Sequence, residues 1–193
     1  MAIKNANSKE KIFEILPNLG NKVKLRPLQL LDSELSVHWR NDPEIRDNLL
    51  SAPFPVTNEL EREWIESILL DKSNTKIVYA IETIFQHNLI GFIYLVEIDW
   101  VSQVAWFGIM IGEKEYQGQG MAKEAMRLLF SYAFARLNLR KISLEVAAFN
   151  HKAINLYKFF GFEEEGRMKN QIYLNNEFHD VLIMSIFKKD FWS

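Results

Sequence analysis

The sequence of 193 residues contains no cysteine. This absence excludes a disulfide framework, a thiolate nucleophile and a zinc site built from cysteines. The chain also lacks an excess of charge of one sign, because 23 lysines and arginines are balanced by 25 aspartates and glutamates. A net charge so close to zero argues against a partner such as nucleic acid, which is bound through bulk electrostatic attraction.

Long hydrophobic runs are absent too. No apolar run approaches the roughly 18 residues of a membrane span, and the lysine-containing N-terminus lacks the apolar stretch of a signal peptide. We therefore expect a cytoplasmic protein with no membrane partner. The hydrophobic fraction of 48% excludes a disordered chain. With no linker or repeat in the sequence, we expect an N-terminal arm over residues 1–20 and one domain over residues 21–193.

Hydrophobic periodicity predicts seven strands and four helices in a mixed order. The strands are expected over residues 22–28, 76–83, 89–99, 103–111, 141–148, 167–174 and 178–187. The helices are expected over residues 33–40, with Asp32 as the cap, and over residues 58–70, 121–132 and 153–160. This order predicts a mixed α/β sheet that contains an antiparallel meander, and it differs from the strict alternation of a dinucleotide-binding fold.

Glycine is scarce, yet four of the eight glycines lie close together, at positions 108, 112, 118 and 120. The segment GEKEYQGQGMA, residues 112–122, follows a predicted strand and opens a predicted helix. In this context backbone N–H groups at a helix N-terminus bind anions, and glycine lets the backbone approach a phosphate closely. The segment has neither the Gly-Lys-Ser/Thr of a P-loop nor the third glycine of a dinucleotide fingerprint. A tight turn at a helix entry is the alternative interpretation.

The form of this loop, Gln117-x-x-Gly120-x-Ala122, resembles the Q/R-x-x-G-x-G/A signature of the GCN5-related N-acetyltransferase (GNAT) superfamily. Members of that superfamily bind the pyrophosphate of acetyl-CoA with this loop. Residues 150–162 resemble the family's N-x-x-A…L-Y…G-F helix. Residues 40–43 (RNDP) and the tail over residues 163–187 are similar to the RimJ/RimL-like branch, so the resemblance covers roughly residues 22–189 in a consistent order.

The resemblance implies the GNAT fold and its activity. The fold would be a central, mostly antiparallel twisted sheet of about seven strands flanked by about four helices, with a V-shaped splay between the fourth and fifth strands. The activity would be acetyl-CoA-dependent N-acetylation of a primary amine, which attacks the thioester directly. Acceptors of similar proteins include protein N-termini, polyamines and amino-sugar nucleotides, and the sequence does not choose among them.

The resemblance also implies which residues bind acetyl-CoA. Three lie in the fourth strand, six in the loop and helix entry, and three at the start of the helix after the fifth strand. They are Ile109, Met110, Ile111, Gln117, Gly118, Gln119, Gly120, Met121, Ala122, Asn150, Ala153 and Tyr157. No metal is expected, because the four histidines show no metal-ligand spacing.

Acetyl transfer needs a proton for the departing thiolate, and Tyr157 is expected to supply it. Tyr157 occupies the tyrosine position of the family's helix, and a phenol stays protonated at neutral pH and can donate to sulfur. An ordinary core tyrosine is the alternative, because Tyr157 also lies on an apolar helix stripe. Asn150 is expected to cap the same helix, which would by itself explain an asparagine there.

A base and an acceptor pocket are predicted as well. Many relatives of this branch carry glutamate where this sequence has Trp106, so the base is expected at Glu97 or Asp99, acting directly or through water. Solvated strand-end carboxylates are the alternative for both. Trp106, together with Trp39 and Phe54, is expected to line the acceptor site.

A different class of protein stays open at this point. The tryptophan at position 106 is compatible with a non-catalytic domain that binds and senses acyl-CoA, and the glycine loop alone is compatible with a nucleotide-phosphate module. Acidic residues between positions 42 and 66 could attract a cationic acceptor or form solvated helix faces. A small-molecule or peptide amine is the expected partner, and the chain is expected to be a monomer or a homodimer.

Overall fold

The computed structural model describes residues 19–50 and 54–191. Nearly all of the predicted arm over residues 1–20 lies outside the described residues. Within them, the chain forms seven strands in one sheet. The strands are β1 (Val23–Pro27), β2 (Ile77–Thr83), β3 (Leu89–Asp99), β4 (Val104–Ile111), β5 (Lys141–Ala147), β6 (Glu163–Leu174) and β7 (Glu177–Phe187). Their spatial order is β1-β2-β3-β4-β5-β7-β6.

All neighbouring strands are antiparallel except β4 and β5, which run parallel. The β4–β5 pairing covers only three residue pairs and ends at Trp106 and Ser143. Beyond these residues the two strands diverge, and their inner backbone groups require a partner other than the adjacent strand. The structure thus confirms the predicted mixed α/β sheet and the splay between the fourth and fifth strands.

Six α-helices accompany the sheet in the described residues. They are α1 (Ser33–Asn41), α2 (Pro43–Arg46), α3 (Asn58–Leu69), α4 (Met121–Ala135), α5 (His151–Phe159) and α6 (Lys188–Phe191), with short 3-10 turns at Leu30–Asp32 and Lys114–Tyr116. None of these helices is long and apolar enough to cross a membrane.

Two hydrophobic cores lie on opposite faces of the sheet. The larger one joins the sheet to α4 and α5 around Phe130, whose ring lies 4.8 Å from that of Phe107. The smaller one joins the other face to α1 and α3, with Trp39 packed edge-on against Phe92 at 5.7 Å. Because alternate residues of a strand point to opposite faces, β4 contributes Phe107 and Ile109 to the first face and Met110 to the second.

A buried ion pair joins the two helices that pack on the smaller core. The carboxylate of Glu61 on α3 is fully buried and accepts a hydrogen bond from the Ser36 hydroxyl at 2.7 Å and from the Arg40 guanidinium at 3.1 Å. Both partners lie on α1, so this pair fixes the two helices to each other. Breaking it would leave a charged group without compensation in the interior.

Local signals in the sequence explain most element ends. Asp42 accepts a hydrogen bond from the Glu44 amide at 2.9 Å and so caps α2, and Thr57 accepts one from the Leu60 amide and caps α3. Gly161, at φ +93°, follows the end of α5.

Two local predictions differ from the structure. Asp32 stands at the predicted cap position but makes no capping hydrogen bond to α1. Its carboxylate instead receives a bidentate pair from Arg26 at 2.8 and 2.9 Å, because a guanidinium fork is a stronger partner than a neutral amide. Strand β6 begins at Glu163, four residues before its predicted start. The first residues of β6 pair with β7 but are mostly polar, so no alternation of apolar residues in the sequence marks them as a strand.

Candidate active site

A cavity of about 870 Å³ opens where β4 and β5 diverge. Its volume is that of a small-molecule or cofactor site. The lining comes from β3, β4, β5, α2, the loop before α4, and the first turns of α4 and α5. The residues expected to bind acetyl-CoA gather here, with the exception of Gln119, whose carbonyl accepts a hydrogen bond from Lys22 at 2.8 Å outside the cavity.

The loop before α4 has the backbone shape of an anion cradle. Gly118 and Gly120 adopt φ angles of +76° and +82°, which residues with a side chain rarely adopt. A Cβ on Gly118 would meet no atom within 4 Å, so the loop leaves open space at this point. The Gln117 side chain donates to the Ile111 carbonyl at 3.0 Å and joins the loop to the end of β4. Gly120 then leads directly into Met121, the first residue of α4.

Glu124 fixes this helix entry to the rest of the sheet. Its carboxylate, 9% exposed, accepts hydrogen bonds from the backbone amides of Asn21, Lys22 and Val23 at 2.7–2.9 Å. Burial raises the pKa of Glu124, but the three amides outweigh burial and the net pKa is lowered. The start of β1 is therefore tied to the first turn of α4, which carries the loop.

The two earlier glycines, Gly108 and Gly112, have a packing reason that sequence did not show. A Cβ on Gly108 would overlap the ring and hydroxyl of Tyr94, and a Cβ on Gly112 would overlap the ring of Trp39. Each glycine makes room for an aromatic side chain.

Tyr157 lines the cavity from α5 and is 8% exposed. Its ring lies edge-on to Phe107 at 6.3 Å and close to Phe162 at 5.8 Å. Burial, with a smaller contribution from Tyr94, raises the pKa of Tyr157 to about 12. The phenol is accordingly a proton donor throughout the neutral range. Asn150, at the start of the same helix, accepts a hydrogen bond from the Ala153 amide at 3.1 Å, which confirms the cap.

The structure separates the two candidate bases. Glu97 lines the cavity and lies at φ +49° in an irregularity of β3 between Val96 and Asp99. Asp99 does not line it: its carboxylate accepts hydrogen bonds from the amides of Val101 and Ser102, both at 2.9 Å, and so closes the turn after β3. The hydrogen bonds from Ser102 lower the pKa of Asp99, which weakens it as a base.

Of the three expected acceptor residues, only Trp106 lines the cavity. Trp39 is 4% exposed, packs in the smaller core, and donates from Nε1 to Glu113 at 2.9 Å. Phe54 is 74% exposed on the loop before α3 and is not among the lining residues. The apolar character of Trp39 and Phe54 suggested residues that line a pocket, but the same character suits a core tryptophan and an exposed phenylalanine.

Several lining residues were not identified from the sequence. Tyr94 on β3, Glu145 on β5, Lys123 on α4 and Lys152 on α5 also line the cavity. Tyr94 pairs across the sheet with Gly108, a register that is known only once the strands are aligned. The only sequence feature that could have indicated Tyr94 or Glu145 as lining residues was a polar side chain within an otherwise apolar strand. The described residues contain no group of three histidine, aspartate or glutamate side chains able to hold a metal ion.

Comparison with known proteins identifies the class. The family model for the Acetyltransferase (GNAT) domain matches residues 22–163. Spermidine N(1)-acetyltransferase of Vibrio cholerae is 32% identical over 90% of this chain and 97% of its own length, and the Escherichia coli (strain K12) enzyme of the same name is 31% identical over 89% of each chain. The crystal structure of spermidine N-acetyltransferase from Vibrio cholerae in complex with CoA and spermine matches with a TM-score of 0.81 and 30% identity, over 90% of this chain and 100% of that one.

The chain therefore belongs to the GNAT acetyltransferase family. It is an acetyl-CoA-dependent N-acetyltransferase that acts on an amine.

Proposed function

We propose that the acceptor is a polyamine and that it binds on the face of the sheet that packs against α1 and α3. The observation that carries this proposal is the set of three glutamates, Glu44, Glu97 and Glu145, that line the same cavity as Tyr157. A polyamine carries several ammonium groups along a flexible chain, so separated carboxylates suit it better than they suit a monoamine. The similarity to two spermidine N(1)-acetyltransferases supports the same class of acceptor.

The three carboxylates are not equally available. Glu44 pairs with Lys114 at 2.9 Å, and Lys114 also pairs with Asp42 at 2.8 Å. Glu97 and Glu145 are exposed and have no ion-pair partner among the described residues. We assign Glu97 and Glu145 to the ammonium groups of the acceptor, because a free carboxylate binds a cation without first giving up another.

The residues on the other face fit acetyl-CoA. The cradle of Gly118 and Gly120 and the N-terminus of α4 suit a pyrophosphate, and Lys123 and Lys152 add positive charge beside it. Beyond Trp106, the inner edge of β4 can offer backbone groups to the pantetheine arm at Ile109 and Ile111. Acetyl-CoA supplies the acetyl group as a thioester when bound there.

The chemistry then divides between two side chains. An alkyl ammonium with a pKa near ~10 must lose a proton before its nitrogen can attack. We propose that Glu97 takes this proton, directly or through a water molecule, and that Tyr157 gives a proton to the sulfur that leaves. Direct attack needs no covalent intermediate on the protein, which agrees with a chain that has no cysteine.

Other finer predictions stand as part of this proposal. They are membership of the RimJ/RimL-like branch, a cytoplasmic location, a single catalytic domain over residues 21–193, and a monomeric or homodimeric state. The tail over residues 163–187 and its resemblance to that branch support the first of them.

An acceptor screen tests the proposal. Purified protein is incubated with acetyl-CoA and, separately, spermidine, spermine, n-butylamine, an amino-sugar nucleotide and a peptide with a free N-terminus, while CoA release is followed. We expect kcat/KM for spermidine to exceed that for n-butylamine by at least tenfold. In Glu97→Gln we expect kcat/KM for spermidine to fall, mainly because kcat falls. Glu163→Gln, at an exposed position on β6 outside the cavity, is the matched control. A preference for the peptide or the sugar nucleotide would overturn the polyamine assignment.

A further inference from the structure

We propose that Tyr94 is an additional active-site residue, whose hydroxyl accepts a hydrogen bond from the attacking amine and orients it toward the thioester. Tyr94 lies in the middle of β3, and the residue paired with it across the sheet is Gly108 of β4. The inference rests on direct attack by the amine, as set out under the proposed function.

The position of the hydroxyl follows from the missing side chain of Gly108. A Cβ built on Gly108 would overlap three atoms at the far end of Tyr94: Cζ, Cε2 and the hydroxyl oxygen. The phenol therefore reaches across the full spacing between two strands, about 4.8 Å, and its hydroxyl lies over β4 instead of over its own strand. Strand β4 is the strand whose inner edge bounds the cavity.

The location along β4 is equally specific. Pairing between β4 and β5 ends at Trp106, and Gly108 lies two residues further along. The Tyr94 hydroxyl is thus at the mouth of the splay, where the sheet first opens. Trp106 and Gly108 alternate with Phe107, so both belong to the face opposite the α4–α5 core.

The neighbours of Tyr94 connect the two halves of the cavity. Glu97 lies three residues along the same strand, and both residues line the cavity. Tyr157 approaches from the other face of the sheet, close enough that Tyr94 contributes to the raised pKa of Tyr157. An amine that enters from the acceptor face must pass between these groups before it reaches a thioester held against the cradle side.

The chemistry of a phenol suits this place. Burial raises the pKa of Tyr94, although the Arg40 guanidinium partly opposes the effect, so the group stays neutral. A neutral phenol oxygen can accept a hydrogen bond from the N–H of an amine. That contact directs the nitrogen lone pair and leaves it available for attack, whereas a carboxylate at the same place would favour the unreactive ammonium form.

The test separates the hydroxyl from the ring. In Tyr94→Phe the ring still covers Gly108, so packing is retained and only the hydroxyl is lost. We expect kcat/KM for the acceptor to fall about tenfold, the size of one lost hydrogen bond to a reacting group, while KM for acetyl-CoA and the melting temperature stay within error. The matched control is Tyr79→Phe on the adjacent strand β2, which does not line the cavity. An unchanged kcat/KM in Tyr94→Phe would overturn the proposal and leave Tyr94 as a packing residue.

A second variant probes the same contact from β4. Gly108→Ala places a methyl group against Cζ, Cε2 and the hydroxyl of Tyr94, so it displaces the end of the phenol. It should lower acceptor kcat/KM without adding fully to the loss in the double variant with Tyr94→Phe. Additive losses would contradict a shared contact. Should the wild-type protein prefer another amine of the screen to spermidine, the polyamine assignment fails, and the same comparison made with that amine still decides the role of Tyr94. Absence of turnover with every amine would overturn both.

Discussion

The two faces of the sheet differ in what builds them. On the α4–α5 face the part of the cavity suited to a pyrophosphate is formed chiefly by backbone: two glycines with positive φ angles, a helix N-terminus, and the inner edge of β4. On the α1–α3 face it is shaped by side chains, chiefly Tyr94, Glu97, Trp106 and Glu145. A backbone site binds a constant chemical group such as a pyrophosphate, whereas a side-chain site can change with the acceptor while the fold stays the same.

The difference predicts which kinetic constant each change will affect. Variants on the α4–α5 face should alter binding of acetyl-CoA, and variants on the α1–α3 face should alter use of the amine. Tyr157 lies where the two meet and should alter turnover itself. A variant on one face that altered the kinetic constants of the ligand on the other face would contradict this difference.

The largest effect is expected for Tyr157→Phe. Loss of the proton donor should lower kcat about 100-fold, the lower end of what a general acid contributes, while the affinity for CoA measured by calorimetry stays within about twofold. Because the pKa of Tyr157 is raised to about 12, the phenol keeps its proton below that pH, so wild-type activity should show no alkaline loss from this group up to pH ~10. Tyr173→Phe, on an exposed residue of β6, is the control. A normal kcat in Tyr157→Phe would remove it from the mechanism.

A smaller effect, on stability, is expected for Glu124→Gln. The variant loses a charged acceptor for three backbone amides, which we expect to lower the free energy of unfolding by about 2 kcal/mol at pH 7. Since the pKa of Glu124 is lowered in the folded protein, its stabilisation is full above the unfolded value of ~4.3 and is lost as the pH falls through the folded-state pKa. The difference between wild type and variant in urea unfolding should therefore shrink in acid. A difference that does not change with pH would contradict this role of the carboxylate.

The smallest effect is expected for Gly120→Ala. An alanine at φ +82° is strained by roughly 1–2 kcal/mol, so the loop should leave its cradle shape and KM for acetyl-CoA should rise about tenfold, with little change in KM for the amine. Gly166→Ala is the control, because Gly166 has no positive φ and the nearest atom to an added Cβ is 3.9 Å away. An equal rise in KM for the amine would show that the two faces are not independent.

The same division explains how far the sequence could be interpreted. Residues 117–122 and the cap of α5 could be singled out because a glycine-rich helix entry and an asparagine cap are local patterns, and the family resemblance then linked them to acetyl-CoA. The splay followed from the family resemblance. Tyr94 and Glu145 could not be identified, because their position depends on which residue lies opposite in the next strand, and strand register is set by packing over long distances in the sequence.

Three incorrect predictions also show that local sequence patterns do not reveal tertiary contacts. Trp39 and Phe54 were assigned to the acceptor pocket by residue type and position in the chain, and the structure places one in the smaller core and the other in solvent. Asp99 lies only two residues from Glu97, yet the turn after β3 takes up its carboxylate. Such differences arise from tertiary contacts that no local pattern records.

Under the proposed function, acetyl-CoA and the amine occupy the two faces of one cleft at the same time. Initial rates of the wild-type protein, with acetyl-CoA and spermidine varied together, test it most directly. We predict double-reciprocal lines that intersect, as direct transfer within a ternary complex requires. Parallel lines, which indicate an acetylated protein formed before the amine binds, would contradict it.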